Sequence, residues 1–248
     1  MKPFHPCVVI PVYNHEHAIA KVVDGVLAHG LPCILVDDGS SQDCAAVLDA
    51  LAAAHRGRVV LERHTANQGK GGAVLTGFRR AARDGYSHVL QVDADGQHNL
   101  ADIPRFLEAA RARPQAVVAG CPVYDESVPP LRLYARYLTH VWVWINTLSL
   151  AIRDSMCGFR VYPVAQVVAL AARRRLGLRM NFDIEILVRL YWDGVAVLNL
   201  PTKVGYPEDG VSHFKAWTDN VLITRLHVAL FFGMLPRIPS LLVRTWRT

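Results

Sequence analysis

Five short, mainly apolar runs, separated by segments with helical spacing, constrain the fold of this chain more than any other feature. The runs are residues 7–12 (CVVIPV), 33–36 (CILV), 59–61 (VVL), 88–92 (HVLQV) and 116–119 (AVVA). A strand without polar alternation has no face left for water, which is the situation of a parallel sheet covered by helices on both sides. Residues 17–28, the segment that Ser41 or Asp43 can cap, residues 70–84 and residues 101–112 supply apolar side chains three and four apart between the runs. The expected fold is therefore α/β, with a Rossmann-like, mainly parallel sheet flanked by helices.

Ligands in such sheets bind outside the carboxyl ends of the strands. Asn14, Asp37, Asp38, Asp93 and Asp95 all fall at such ends. The second half is less regular. Residues 131–152 mix aliphatics with Tyr137, Trp142 and Trp144 and carry Arg132 and Arg136 near their start, residues 182–192 read as a helix, and residues 195–200 as a further strand. Residues 221–235 are strongly apolar but interrupted by Arg225 and His227, and Pro236 and Pro239 break the stretch at its end. With no repeat and no linker, the partition is one domain over residues 1–215 and a C-terminal amphipathic, helical, apolar and basic appendage over 216–248.

Composition narrows the setting. At 52 % apolar and 19 % charged residues, disorder is excluded. Five cysteines (Cys7, Cys33, Cys44, Cys121, Cys157) without a CxxC pair favour free thiols over a zinc cluster or a disulfide framework. The N-terminus enters a strand with no apolar signal segment, which predicts a cytoplasmic protein. The net charge of +6 is moderate, but Arg237, Arg244 and Arg247 crowd the last twelve residues without an acid. A basic end to an apolar helix suits an anionic lipid surface, and a soluble helix with a basic outer face looks similar.

Asp93 and Asp95 close the fourth run. On an extended strand, carboxylates at i and i+2 point to opposite faces, but at a strand end the chain turns and both can approach one cation. Such hard oxygen ligands suit Mg²⁺ or Mn²⁺ bridging substrate phosphates, and Gln97 and His98 add further polar groups. A solvated acidic turn is the competing reading. Asp37-Asp38-Gly39-Ser40 reads either as a turn with a helix cap or as a carboxylate facing a nucleoside. Residues 67–72 (NQGKGG) open a helix, where glycines permit close backbone approach and Lys70 adds a charge for a phosphate; a plain flexible turn explains them as well.

Together with residues 10–14 (IPVYN) and 154–160 (DSMCGFR), these motifs occur in one order that resembles the family 2 inverting glycosyltransferases of GT-A fold. Within them, the chain is similar to the dolichyl- and polyprenyl-phosphate hexose synthases over roughly residues 7–215. The resemblance implies a hexosyltransferase that uses a UDP- or GDP-sugar. Pro11, Tyr13, Asn14, Glu16, Asp38, Gly69, Lys70, Asp93 and Ala94 would bind the donor, with Asp38 reading the base. Asp93, Asp95, Gln97 and His213 would hold Mg²⁺ or Mn²⁺ against the diphosphate. Arg132, Arg136 and Arg160 would meet the acceptor, and Asp154, Asp93 and Arg136 would serve the chemistry. Two departures stand out. His15 occupies the place of the acid that usually follows YN, with Glu16 next, and residues 206–213 (YPEDGVSH) replace the usual Arg before a Gly-x-Ser-Lys turn.

If the acceptor is a lipid phosphate, no strong base is needed and Arg132 and Arg136 position an anion. If it is a hydroxyl, Asp154 is the candidate base. The aromatic helix at 131–152 and the tail at 221–248 then read jointly as a membrane-surface element on the inner face of the cytoplasmic membrane. Packing on the sheet, or a homodimer contact, is the competing use. Nothing points to nucleic acid. A sugar-nucleotide nucleotidyltransferase would need a basic glycine-rich loop beside the first strand, where IPVYN stands. A non-catalytic membrane-attached module would leave five polar strand-end motifs without a purpose.

Overall fold

The computed structural model describes residues 3–123, 130–205 and 216–245. In chain order it runs β1 (Pro6–Val12), α1 (Ile19–Ala28), β2 (Cys33–Asp37), α2 (Gln42–Ala54), β3 (Val59–Arg63), α3 (Lys70–Arg83), β4 (His88–Gln91), α4 (Ile103–Ala112) and β5 (Val117–Val123). There follow α5 (Pro130–Thr147), β6 (Arg160–Pro163), α6 (Val164–Arg173), α7 (Phe182–Trp192), β7 (Val197–Lys203), α8 (Ala216–Met234) and α9 (Ile238–Thr245). The strands form one sheet in the order β3-β2-β1-β4-β6-β5-β7.

The expected parallel sheet is present, with one strand reversed. β6 pairs antiparallel with both β4 and β5, whereas β1, β2, β3 and β4, and likewise β5 and β7, pair in parallel. The sequence pattern does not foretell β6 and α6. Four residues with a terminal Pro163 make a weak strand signal, and β6 is held by neighbours on both sides rather than by its own propensity.

Both faces of the sheet are covered, as the apolar runs require. Along β1, Cys7 and Val9 join the side that holds α3, α6 and α7, while Val8, Ile10 and Val12 join the side that holds α1, α2 and α4. Gly77 of α3 is a packing residue, because a Cβ there would run into the Val9 side chain. All five cysteines are free thiols.

The C-terminal helices are only partly an appendage. Ile223, Leu226, Leu230 and Met234 of α8, with Leu241 of α9, are buried in the same cluster as Val143 of α5 and Leu187 of α7. At roughly 1.5–3 kcal/mol for each fully buried aliphatic side chain, that contact is a substantial share of the fold. The opposite side of α8 stays apolar and open at Val228 and Phe232.

Candidate active site

The carboxyl ends of β1, β2 and β4 converge, and short polar contacts join the loops that leave them. Asn14, in a left-handed conformation (φ 52°), donates its amide N–H to Ser40 Oγ at 3.2 Å and accepts from the Ser41 amide at 2.7 Å. Asn is among the residues that tolerate this backbone, and here its side chain is used across the loops, on the Ser41 amide. The β1 and β2 loops are thereby clasped, with Pro11 and Tyr13 beside the clasp on the same strand end.

The two adjacent acids of β2 have separate partners. Asp37 takes the Arg63 guanidinium at 2.7 Å and the Ser40 amide at 2.9 Å. Asp38 accepts from the Gln68 and Gly69 amides, both at 2.8 Å, and lies 2.7 Å from His64 Nδ1, whose other nitrogen meets Thr76. Asp38 therefore stands at the expected place with both oxygens engaged, and it holds the 67–70 loop against the β2 end.

The glycines of residues 69–72 make their close approach to protein. A Cβ on Gly69 would come to 2.5 Å from Leu178 O, and one on Gly71 to 2.6 Å from Gly177 O, so α3 is pressed against the segment before α7. The Gly72 amide donates to Leu178 O at 3.0 Å. With the Gln68 and Gly69 amides on Asp38, the start of α3 is already supplied with acceptors. Lys70 likewise offers no open charge for a phosphate. Its ammonium lies 2.8 Å from Asp93 Oδ1, 2.9 Å from Asp93 Oδ2 and 2.9 Å from Asp183 Oδ2. Burial would lower the Lys70 pKa, but the charges of Asp183 and Asp93 push it well above the usual range.

Asp93 and Asp95 sit on the turn after β4. Burial would raise the Asp93 pKa, but the Lys70 charge and the His98 contact hold it well below the usual carboxylate range. His98 Nε2 lies 3.4 Å from Asp93 Oδ2, and its ring packs on Phe159. Gly158 is needed at this spot: a Cβ there would collide with the Asp93 carboxylate. Asp95, by contrast, is half-buried, and among the described residues only the Gln97 amide donates to its carboxylate, at 3.0 Å. The turn is tied to the end of β7 by the Gly205 amide on Gln97 O at 2.9 Å.

One ionised carboxylate held in place and a second left partly open are suitable hard donors for Mg²⁺ or Mn²⁺, and Ala94 between them is buried. Among the described residues no set of three His, Cys, Asp or Glu side chains converges. Such a pair suits an ion whose remaining ligands are waters and substrate phosphates. His213 lies outside the described residues. Glu16 has a buried Oε2 that meets no hydrogen-bond partner among the described residues.

The other side of the site is built by α5 and the loop before β6. Arg136 grips Asp154 with two hydrogen bonds, Nε to Oδ2 at 2.7 Å and Nη2 to Oδ1 at 2.8 Å. His140, one helical turn further along α5, lies 3.3 Å from the same carboxylate, which also caps the Met156 and Cys157 amides at 2.9 and 2.7 Å. Burial would raise the Asp154 pKa, yet the His140 hydrogen bond and the Arg136 charge hold it far below the usual range. This corrects the expectation of a base: a buried carboxylate that is so stabilised as an anion is a poor proton acceptor. Asp154 positions Arg136 instead. Arg132 falls on α5.

Arg160 requires a second correction. It is fully buried and donates to Tyr162 Oη at 3.0 Å and to the Asp183 carbonyl at 2.7 Å, so it cannot reach an acceptor. As the first residue of β6 it pairs with Gln91 of β4 beneath the site. Three residues near the centre are not marked by any sequence motif, His64, His140 and Asp183, and Gly158 lies within DSMCGFR without its role being readable there. A signal for Asp183 is present, since an acid in a helix apolar on every side needs a buried partner.

Comparison with known proteins agrees with this fold. A family model described as Glycosyl transferase family 2 matches residues 7–167. The chain is 31 % identical over 221 residues to a polyprenol monophosphomannose synthase of Mycolicibacterium smegmatis, covering 83 % of this chain and 79 % of that protein. It is also 31 % identical over 215 residues to a UDP-N-acetylglucosamine–dolichyl-phosphate N-acetylglucosaminyltransferase of Methanococcus voltae, covering 81 % and 85 %. Among solved structures, glucosyl-3-phosphoglycerate synthase from Mycobacterium tuberculosis with Mn²⁺ and UDP-glucose superposes with a TM-score of 0.66 at 16 % identity, covering 93 % of this chain and 78 % of that one. A mannosyltransferase from Pyrobaculum calidifontis in complex with GDP-Man and Mn²⁺ gives 0.62 at 15 % identity, covering 98 % and 69 %. These two likenesses concern the fold.

Proposed function

The chain belongs to glycosyl transferase family 2, and from that premise we propose that it transfers a hexose, with inversion, from a UDP- or GDP-sugar to a polyprenyl phosphate at a membrane surface. The observation that carries the choice of acceptor is Asp154. The one carboxylate offered as a base for a hydroxyl acceptor is tied to Arg136, His140 and two backbone amides. A phosphate needs no base because it is already an anion at neutral pH. It needs a fixed cation, and Arg136 is held as one.

The reaction is a single displacement. An oxygen of the acceptor phosphate forms a bond to the anomeric carbon, and the bond from that carbon to the diphosphate breaks. The nucleoside diphosphate leaves with the electron pair, and one displacement inverts the centre. The Asn14–Ser40 clasp and the Asp38-held loop shape the nucleoside end of the cleft. Asp93, held by Lys70, and Asp95, supported by the Gln97 amide, are the residues that would hold Mg²⁺ or Mn²⁺. That ion supplies charge neutralisation on the leaving diphosphate. Arg136, with Arg132 on the same helix, aims the acceptor phosphate. We also assign His213, in the segment that replaces the usual basic turn, to the metal or the diphosphate.

Membrane association rests on an apolar surface. Tyr134, Tyr137, Leu138, Trp142 and Ile145 recur at helical spacing on the outer side of α5, and Val228 and Phe232 do so on α8. Trp142 stacks on His227 and joins the two stripes. Residues 217–244 are long and apolar enough to cross a bilayer by length and composition, with 28 % of the relevant stretch buried in the protein. The docked inner side of α8 favours lying on the surface over crossing it. The basic tail suggests that Arg237 and Arg244 face lipid. Instead their guanidinium groups cover Trp192 and Tyr191, and the lipid contact falls to the aromatic and aliphatic side chains.

The test is a transfer assay with GDP-mannose, UDP-glucose and UDP-N-acetylglucosamine, Mn²⁺, and either a polyprenyl phosphate or the matching polyprenol. Label should enter the phosphate and not the alcohol. Equal or better transfer to the alcohol would sink the acceptor assignment, and undiminished turnover in Asp95→Ala would sink the metal pair.

A further inference from the structure

Beneath the Asp93–Asp95 turn, four elements meet around a cluster of charges. Lys70 of α3 lies between two carboxylates, Asp93 on the turn after β4 and Asp183 of α7, at nearly equal distances of 2.8 and 2.9 Å. Asp183 is only 5 % exposed, so no solvent balances its charge. It is braced on two sides: Gln91 Nε2 donates to its Oδ1 at 3.0 Å, and the Arg160 guanidinium donates to its backbone carbonyl at 2.7 Å. The ammonium therefore faces one rigid carboxylate, Asp183, and one on the rim of the cleft, Asp93.

That arrangement has an electrostatic consequence. A lysine paired to Asp93 alone would neutralise it, and a divalent cation arriving at the turn would have to displace or repel a buried ammonium. A second buried carboxylate restores the missing negative charge and gives Lys70 an anchor that does not depend on Asp93. We propose that Asp183 is a positioning residue that holds the Lys70 ammonium and leaves Asp93 negative enough to take a divalent cation. The inference rests on Asp93 and Asp95 being the metal pair. It assigns a task to α7, which lies outside every motif of the cleft. Lys70 and Asp183 act through Asp93 and need not touch the substrate.

Two variants predict opposite outcomes. Asp183→Asn keeps the shape and an acceptor for Gln91 but removes the charge, so Mn²⁺ binding should weaken by about tenfold, as expected for one unit charge a few ångströms away in a partly screened site. Lys70→Met keeps the stem and removes the competing cation, so Mn²⁺ binding should tighten. Electron paramagnetic resonance of free Mn²⁺ titrated with the full chain, without any sugar nucleotide, reads both constants, and thermal melts verify that each variant is folded. A merely structural role would weaken binding in both variants, and that result overturns the proposal; so does no change in either. Asp95→Ala separates the metal pair from the support beneath it. If it binds Mn²⁺ like the parent chain, the metal pair itself is wrong. If it loses Mn²⁺ while the other two variants fail to move oppositely, only the role of Asp183 falls.

Discussion

The two halves of the cleft are made in different ways. On the nucleotide side, β1, β2 and β4 run in parallel and each delivers its polar residues immediately after its last apolar one. On the acceptor side, β6 runs the other way, so its first residue rather than its last lies near the cleft. The DSMCGFR segment therefore enters a strand instead of leaving one, and its members face different surroundings. Asp154 holds Arg136 of α5 and Gly158 lies against Asp93, whereas Phe159 and Arg160 are buried under the sheet's loops without reaching the cleft. The lesson is that a motif shows its chemistry in the sequence only where strand direction and motif order agree.

The contact that joins the halves is the place to break the comparison with the greatest effect. Gly158, from the acceptor side, leaves room for the Asp93 carboxylate on the nucleotide side. In Gly158→Ala, the added methyl must push Asp93 from its place. Displacing a catalytic group by about an ångström costs on the order of a hundredfold in turnover, and the overpacking costs about 1–3 kcal/mol in stability. Steady-state kinetics and a thermal melt measure the two. A variant with normal kcat would show that the halves are independent.

Arg136→Met sharpens the division. Asp154 keeps His140 and two backbone amides, so the loop stays capped. The acceptor loses one charge-assisted contact, worth about 2 kcal/mol, or roughly thirtyfold in its KM. The KM for the sugar nucleotide should not move. A parallel rise in both constants would mean that Arg136 serves the cleft as a whole.

Legibility in the sequence divides along the same line. Five strands, the helices between them, and the acids at the ends of β2 and β4 can be read directly, because apolar runs and the polar residues that stop them lie next to each other. Partnership cannot be read in this way. Lys70 looks like a phosphate ligand because glycine-rich helix starts often bind anions, but its two acids are Asp93 and Asp183, 23 and 113 positions away. Asp154 looks like a base because an acid at a site edge can be one. Only packing reveals the Arg136 and His140 that saturate it. β6 and α6 leave little trace in the sequence because a four-residue strand ending in proline depends on its neighbours for its existence.

The outer apolar surface belongs wholly to the acceptor side and offers a smaller effect. Deleting α8 to test membrane binding is uninformative, because its inner residues complete the core. Val228→Ser together with Phe232→Ser alters only exposed positions, 49 % and 65 % accessible. Flotation with anionic vesicles should lose about tenfold in partitioning, given roughly 0.7 kcal/mol for each side chain already half in contact with its surroundings. Turnover on a short, water-soluble polyprenyl phosphate should stay intact. Unchanged flotation would remove α8 from the membrane contact.

The smallest effect separates the halves by pH. His227 sits between α5 and α8, with Nδ1 facing Asn146 at 3.3 Å and its ring stacked on Trp142. Burial lowers its pKa from the ordinary 6.5 to about 4. The unfolded chain then binds this proton more readily than the folded one, so stability is full above the ordinary pKa and declines as pH falls from 6.5 toward 4. After allowance for partial screening, the loss is about 1 kcal/mol. Asp154, whose pKa is depressed, loses its contribution only below about pH 4, near the unfolded carboxylate value, so the windows do not overlap. Hydrogen exchange at pH 7.5 and 5 should show faster opening of α5 and α8 at the lower pH, with β1 to β4 unchanged, and His227→Gln should abolish the difference. Equal acceleration across the sheet would mean that the C-terminal helices and the nucleotide side open as one unit, and the division between the halves would then hold for chemistry but not for stability.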